Sequence, residues 1–184
     1  MTVMIGTHYE GTPVPPVPEH TRYVTAGPLS IGVEYRQLDA SVIAATYGDG
    51  ELRAAGDDTP QPPILADEGM TLHVCDAASG AEYLRFDVFA DNPHYHYIHP
   101  GEHHLVVPFD RAACGDMATW AVECLRTRLG QMLEAAGAGA LAARIGAGDK
   151  DAAAAVAADA LGRGGAAPTG SPALTGSAGR EALG

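Results

Sequence analysis

The sequence predicts an α+β fold: an antiparallel β-meander of four to five strands with one long C-terminal helix packed on one face. Three observations lead there. Residues 70–109 alternate apolar and polar side chains in four short runs separated by turn formers. Residues 117–134 repeat apolar side chains at helical spacing. The turns between the runs have lengths that let all four share one apolar face.

The chain has 184 residues, enough for one domain with its own core. The apolar fraction is 46%, but much of it is alanine concentrated after Ala135, so the effective core is smaller than that figure implies. A formal charge of −12, with eleven scattered Lys and Arg residues, argues against nucleic acid and anionic membrane surfaces as partners, since both require a basic patch. Cys75, Cys114 and Cys124 are odd in number and lack CxxC spacing, and the N-terminus has neither the charged nor the apolar region of a signal peptide. A reducing cytoplasm is the expected compartment. No apolar run reaches the ~18 residues of a membrane span, so the protein is expected to be soluble.

In chain order, residues 1–27 hold Pro13, Pro15, Pro16 and Pro18 and are expected to form a surface arm, extended or irregular and not helical, able to pack on the domain. The domain proper is placed at 28–137. Ser30–Arg36 alternates as a half-buried strand does, with Ile31, Val33 and Tyr35 opposed to Gly32, Glu34 and Arg36. Ser41–Tyr47 suits a strand or a helix, and 48–63 is a Gly- and Pro-rich loop.

Strands Met70–Asp76 and Glu82–Phe89 pair about Ser79. Leu72 then faces Phe86, Val74 faces Leu84 and Met70 faces Val88, which makes one face apolar. Thr71, His73 and Cys75 fall beside Asp87, Arg85 and Tyr83 on the other. A tight turn at 90–93 pairs Phe89 with His94 and Asp87 with His96. At Pro100-Gly101 two registers exist. The three-residue loop Pro100–Glu102 is preferred because it sets His104 and Val106 beside His96 and Ile98, and joins Leu105, Val107 and Phe109 to Tyr95 and Tyr97 on the apolar face. Asp116 is the expected N-cap of a single helix running to Glu134, with Gly137 as its stop. Residues 138–163 are expected to be a weakly packed Ala-rich helical extension, and 164–184 a disordered tail.

Residues 94–104 hold five of the eight histidines. His94 and His96 lie two apart, so on a strand they project from one face. Together with His104 they form a three-histidine set suited to zinc. With Asp87 in place of His104 they form a two-His-one-carboxylate set suited to non-haem iron. One zinc or iron ion is the cofactor this implies. The plain alternatives are that Asp87 pairs with Arg85, that the tyrosines are core, and that His99 and His103 are surface groups. His73 opposite Arg85 is a poor proton carrier, because the cation disfavours imidazolium. Cys114 and Cys124 lack the neighbours of a nucleophile.

The run Glu82–Asp87, the segment His94–Gly101 and the later Trp120–Leu129 resemble a small family of uncharacterised bacterial proteins over about residues 67–136. That resemblance implies no activity. Two function classes stay open: a small accessory or binding domain that associates with another protein or with itself, its His-rich face able to bind a divalent metal, and a mononuclear metal-dependent enzyme of hydrolase or non-haem iron type.

Overall fold

The computed structural model describes residues 6, 8–11, 14–39, 41–42 and 66–163. The loop at 48–63, most of Ser41–Tyr47 and the 164–184 tail lie outside the described residues. Seven antiparallel strands form one open sheet: β1 (Tyr9–Gly11), β2 (Arg22–Ala26), β3 (Leu29–Leu38), β4 (Asp67–Asp76), β5 (Glu82–Phe89), β6 (His94–Ile98) and β7 (His104–Pro108). Their order across the sheet is β1-β7-β6-β5-β4-β3-β2. The α+β class holds, but among the described residues the strand count is seven and not four to five.

The two additional strands come from the segment expected to be a surface arm. β2 joins β3 through a two-residue turn in which Gly27 has φ +59, a conformation that favours glycine. β1 pairs with β7 at the opposite edge. Gly11 and Arg22 are therefore separated by six interstrand gaps, about 29 Å at ~4.8 Å each. Eleven residue steps reach at most about 40 Å when extended. Residues 14–17 are extended, and a turn follows in which the His20 and Thr21 N–H groups both donate to the Val17 carbonyl at 3.0 Å. The prolines of this crossing segment supply extended backbone and remove N–H groups that would otherwise need partners there.

The period-two alternation of β3, β4 and β5 sorts side chains as expected. Leu72 lies opposite Phe86, Val74 opposite Leu84 and Met70 opposite Val88, while Ile31 and Val33 extend the same apolar face. The three-residue loop before β7 is also present: His96 pairs with Val106 and Ile98 with His104, and Gly101 has φ +81. Two registers differ from expectation. A bulge between Val74 and Cys75 sets Cys75 opposite Glu82, not Tyr83. β5 and β6 are offset by two residues, so Asp87 faces His94 and Arg85 faces His96. A shift of two keeps every side chain on its face.

Helices α1 (Arg111–Cys114), α2 (Met117–Thr127), α3 (Leu129–Ala135), α4 (Gly139–Ala142) and α5 (Ala147–Arg163) follow, and α2, α3 and α5 cover the apolar face. Asp116 caps α2 by accepting the Thr119 N–H at 2.8 Å. The expected single helix is interrupted at Arg128, whose φ is −119. Thr127 Oγ1 donates to the Glu123 carbonyl at 2.8 Å, an i−4 contact that bends helices. Gly137, at φ +75, ends α3: Ala138 N–H reaches the Leu133 carbonyl and Gly137 N–H the Glu134 carbonyl, the paired bonds of a Schellman ending. Leu125, Leu129 and Leu133 are fully buried beneath, and Trp120 packs against Phe86, Tyr95 and Phe109.

α5 corrects the expectation of weak packing after Ala135. Ala153, Ala154, Ala157 and Ala160 are buried, and the helix lies against α2 and strands β2 and β3. Alanine there allows close approach of two backbones, so small volume serves packing instead of weakening it. Ala157→Leu is accordingly expected to cost about 2 kcal/mol through overpacking, seen as a lower urea midpoint. No helix among the described residues is long and apolar enough to cross a membrane.

Candidate metal centre

The face opposite the helices carries Glu34 and Arg36 from β3, Thr71 and His73 from β4, Arg85 and Asp87 from β5, His96 from β6 and His104 from β7, all buried. His94, at the start of β6, is the most exposed group near Asp87, with 22% of its side chain accessible. An unpaired charge on such a face would be costly, so each group's partner matters.

Asp87 is the hub. Its Oδ1 accepts from Thr71 Oγ1 at 2.5 Å, and its Oδ2 lies 2.7 Å from His96 Nε2 and 3.2 Å from His94 Nε2. One ligand atom from each of Asp87, His94 and His96 lies within 4.8 Å of the others, a group able to hold a metal ion. His94 Nδ1–H donates to the Asn92 carbonyl at 2.8 Å, which turns Nε2 toward the carboxylate. The alternative pairing of Asp87 with Arg85 is not what forms. Arg85 instead forks onto Glu82, from Nε at 2.8 Å and Nη2 at 2.7 Å, which leaves Asp87 to the histidines.

Burial of Asp87 opposes ionisation, but the hydrogen bonds from His94 and His96 outweigh it and hold the carboxyl well below the usual range. For His94, burial favours the neutral ring, yet the Asp87 hydrogen bond and charge raise its pKa. The balance tips the other way for His96, where burial is offset only in part by Asp87 and the pKa falls to about 4. His104 falls to about 3, through burial and then the neighbouring His96. Its ring stacks on His96 with centroids 4.9 Å apart, and its Nδ1 meets the Gly11 carbonyl of β1. His104 thus shares the face but stands outside the three-residue ligand group. His96 Nδ1 and His104 Nε2 are buried without a partner.

A second cluster adjoins the first. His73 lies 2.7 Å from Glu82 through Nδ1 and 3.2 Å from Glu34 through Nε2. Burial disfavours its charged form and Arg85 acts in the same direction, as expected, but the bonds to Glu34 and Glu82 outweigh both and raise its pKa. Glu82 is held down to about 2: burial raises it, and the bonds from Arg85 and His73 outweigh that. Cys75 is pushed up to about 12 by burial and by Glu82, which keeps it an unreactive thiol. Period-two alternation puts Glu34 and Arg36 on one side of β3, and the pairing of β3 with β4 is what carries them to this face.

The face is also roofed. Val14 and Pro15 carbonyls accept from Arg36 and Arg85, Val17 N–H donates to Glu34 Oε1, and Thr21 Oγ1 donates to Glu34 Oε2. Residues 14–21 of the proline-rich segment thus cover the Arg36, Arg85 and Glu34 part of the face, an arm packed on the domain.

Fold and site together define a class: an antiparallel sheet with a helix-packed core on one side and a buried histidine, carboxylate and arginine array on the other. The chain belongs to the family described as Domain of unknown function (DUF7700), which matches residues 23–160. No curated protein and no solved structure matches it. The matched span contains Asp87, His94, His96 and His104 and begins after the crossing segment.

Proposed function

We propose that this is a binding or accessory domain that holds one divalent metal ion, with Asp87, His94 and His96 as its protein ligands. The observation that supports this reading is the convergence of one carboxylate oxygen and two imidazole nitrogens within 4.8 Å on a buried face. Around an ion with bonds of ~2.1 Å, tetrahedral ligand atoms stand about 3.4 Å apart. Asp87 and His96, now 2.7 Å apart, would open by under an ångström to receive it. The His94 Nδ1–H bond to the Asn92 carbonyl is the kind of outer contact that fixes a ligating imidazole. A set of two nitrogens and one carboxylate oxygen suits zinc or ferrous iron. Arg85 stands near as an opposing cation, but its charge is taken up by Glu82. As a module the domain would act through another protein or a second copy of itself.

The second reading is a mononuclear metal-dependent enzyme of hydrolase or non-haem iron type. It is favoured by the count of three protein ligands, which leaves a position for water or substrate where a structural zinc site would be closed by four.

Elemental analysis of untagged protein, purified without chelator and then exposed to zinc or ferrous iron, tests the shared core of both readings. Near one ion per chain in the parent, and less than a tenth of that in His96→Ala, is the expected result. A parent that takes up no metal above background ends both. Because His94 must lose its proton to bind, metal affinity is expected to fall as pH is lowered.

A further inference from the structure

Two buried guanidinium groups on the roofed face point at one neutral oxygen. Arg85 Nη1 donates to the Val14 carbonyl at 2.8 Å, and Arg36 Nη2 donates to the same carbonyl at 3.2 Å and to that of Pro15 at 2.9 Å. Arg36 is 4% exposed and Arg85 1%. Arg85 is forked onto Glu82, Arg36 Nε stands 3.6 Å from Glu34, and His73 bridges the two carboxylates. Each guanidinium therefore has one side on a carboxylate and another side, Arg85 Nη1 and Arg36 Nη2, on backbone carbonyls.

A guanidinium donating to a carbonyl already makes a charge-assisted bond; a carboxylate adds its own charge, and its two oxygens match the guanidinium fork as a single carbonyl does not. The present occupant meets the two arginines through carbonyl oxygens alone: Pro15 and Pro16 have no N–H to donate, Val17 N–H reaches Glu34 at 3.4 Å, and the Val17 carbonyl accepts from Thr21 Oγ1 at 2.7 Å.

We propose that residues 14–17 occupy, within the chain itself, a carboxylate subsite, and that the ligand of this face is a small carboxylate-bearing molecule that displaces the Val14 carbonyl from Arg36 and Arg85. The seat lies beside the metal ligands. Arg85 precedes Asp87 by two residues on the same face of β5, about 7 Å away, and is the cross-strand partner of His96. A small acid bound there would extend its other end toward Asp87, His94 and His96. That last step rests on the proposed metal site, whereas the carboxylate seat does not.

The experiment uses the full chain and oxalate as probe. Oxalate is titrated calorimetrically into the metal-free and the zinc-loaded parent, Arg36→Gln and Arg36→Lys, and hydrogen exchange of residues 14–21 is followed with and without it. The expected result is saturable binding in the metal-free parent, at least tenfold weaker in Arg36→Gln and partly restored in Arg36→Lys, with faster exchange across 14–21 on binding. Absence of saturable binding in the metal-free parent overturns the proposal, as does binding that leaves exchange of 14–21 unchanged. Binding that appears only with zinc and is kept in Arg36→Gln would also overturn it, and would place oxalate on the metal alone. Oxalate binding by a chain that takes up no metal sustains the seat while ending the metal reading.

Discussion

Asp87→Ala is expected to lose all bound metal and to cost the metal-free domain about 3 to 5 kcal/mol, the usual effect of removing one partner from a buried charged pair. Asp87 is 2% exposed and accepts from three groups on two neighbouring strands. Its removal leaves Thr71 Oγ1, His96 Nε2 and His94 Nε2 without this acceptor. Asp87→Asn keeps the shape and one accepting oxygen, so about half that loss is expected, again with metal binding abolished. Urea unfolding in the presence of chelator reads the stability, and elemental analysis reads the metal. An Asp87→Ala protein within 1 kcal/mol of the parent would show that the histidine and aspartate array carries little of the fold's stability.

The second large effect is on pH dependence. In the folded protein His96 titrates at about 4 and His104 at about 3, both below the ordinary histidine value near 6.5. Between those limits the unfolded chain binds more protons than the folded one, so stability is full above pH 6.5 and falls as pH drops toward 4. For His96 alone the loss is on the order of 3 kcal/mol. Asp87 and Glu82 have lowered folded pKa values, so their contribution persists above the unfolded value near 4 and is lost below it. His73 and His94 act in the opposite sense: their raised values stabilise below 6.5, and that gain is lost as pH rises through the folded pKa. The expected curve for chelated protein is a steep decline from pH 6.5 to 4, continuing below 4. His104→Gln, which cannot take up a proton, is expected to flatten the curve from pH 6.5 down to about 3 while leaving the limb below that in place. An unchanged slope in that variant would show that His104 is neutral in neither state or in both.

Much of the site follows from strand periodicity. Once 70–76, 82–89 and 94–98 are strands, side chains two residues apart share a face, and the apolar set can only go inward. That places His73, Arg85, Asp87, His94 and His96 together whichever even register is adopted. The two-residue offset of β6 was invisible for the same reason, since it moves partners along the strand without turning them over. The bulge at Cys75 was equally hidden, because one extra residue in a ladder leaves no mark in the hydrophobic pattern. The bend at Arg128 depends on a threonine hydroxyl bonding to a carbonyl one turn back, which composition does not reveal.

By itself the sequence determined the α+β class, the two-faced sheet, the Asp116 cap, the Gly137 stop and the three-residue turn before His104. All are local or period-two properties in which neighbouring residues decide conformation. Tertiary structure alone decided which carboxylate each cation takes. Arg85 had Asp87 two residues away on its own face but closes on Glu82, and this frees Asp87 for His94 and His96. It also decided that the proline-rich segment crosses from one sheet edge to the other as a roof, because only the pairing of β1 with β7 fixes where that segment must end. Partner choice among buried charges and the path of an extended segment depend on contacts distant in the chain, and no local pattern encodes them.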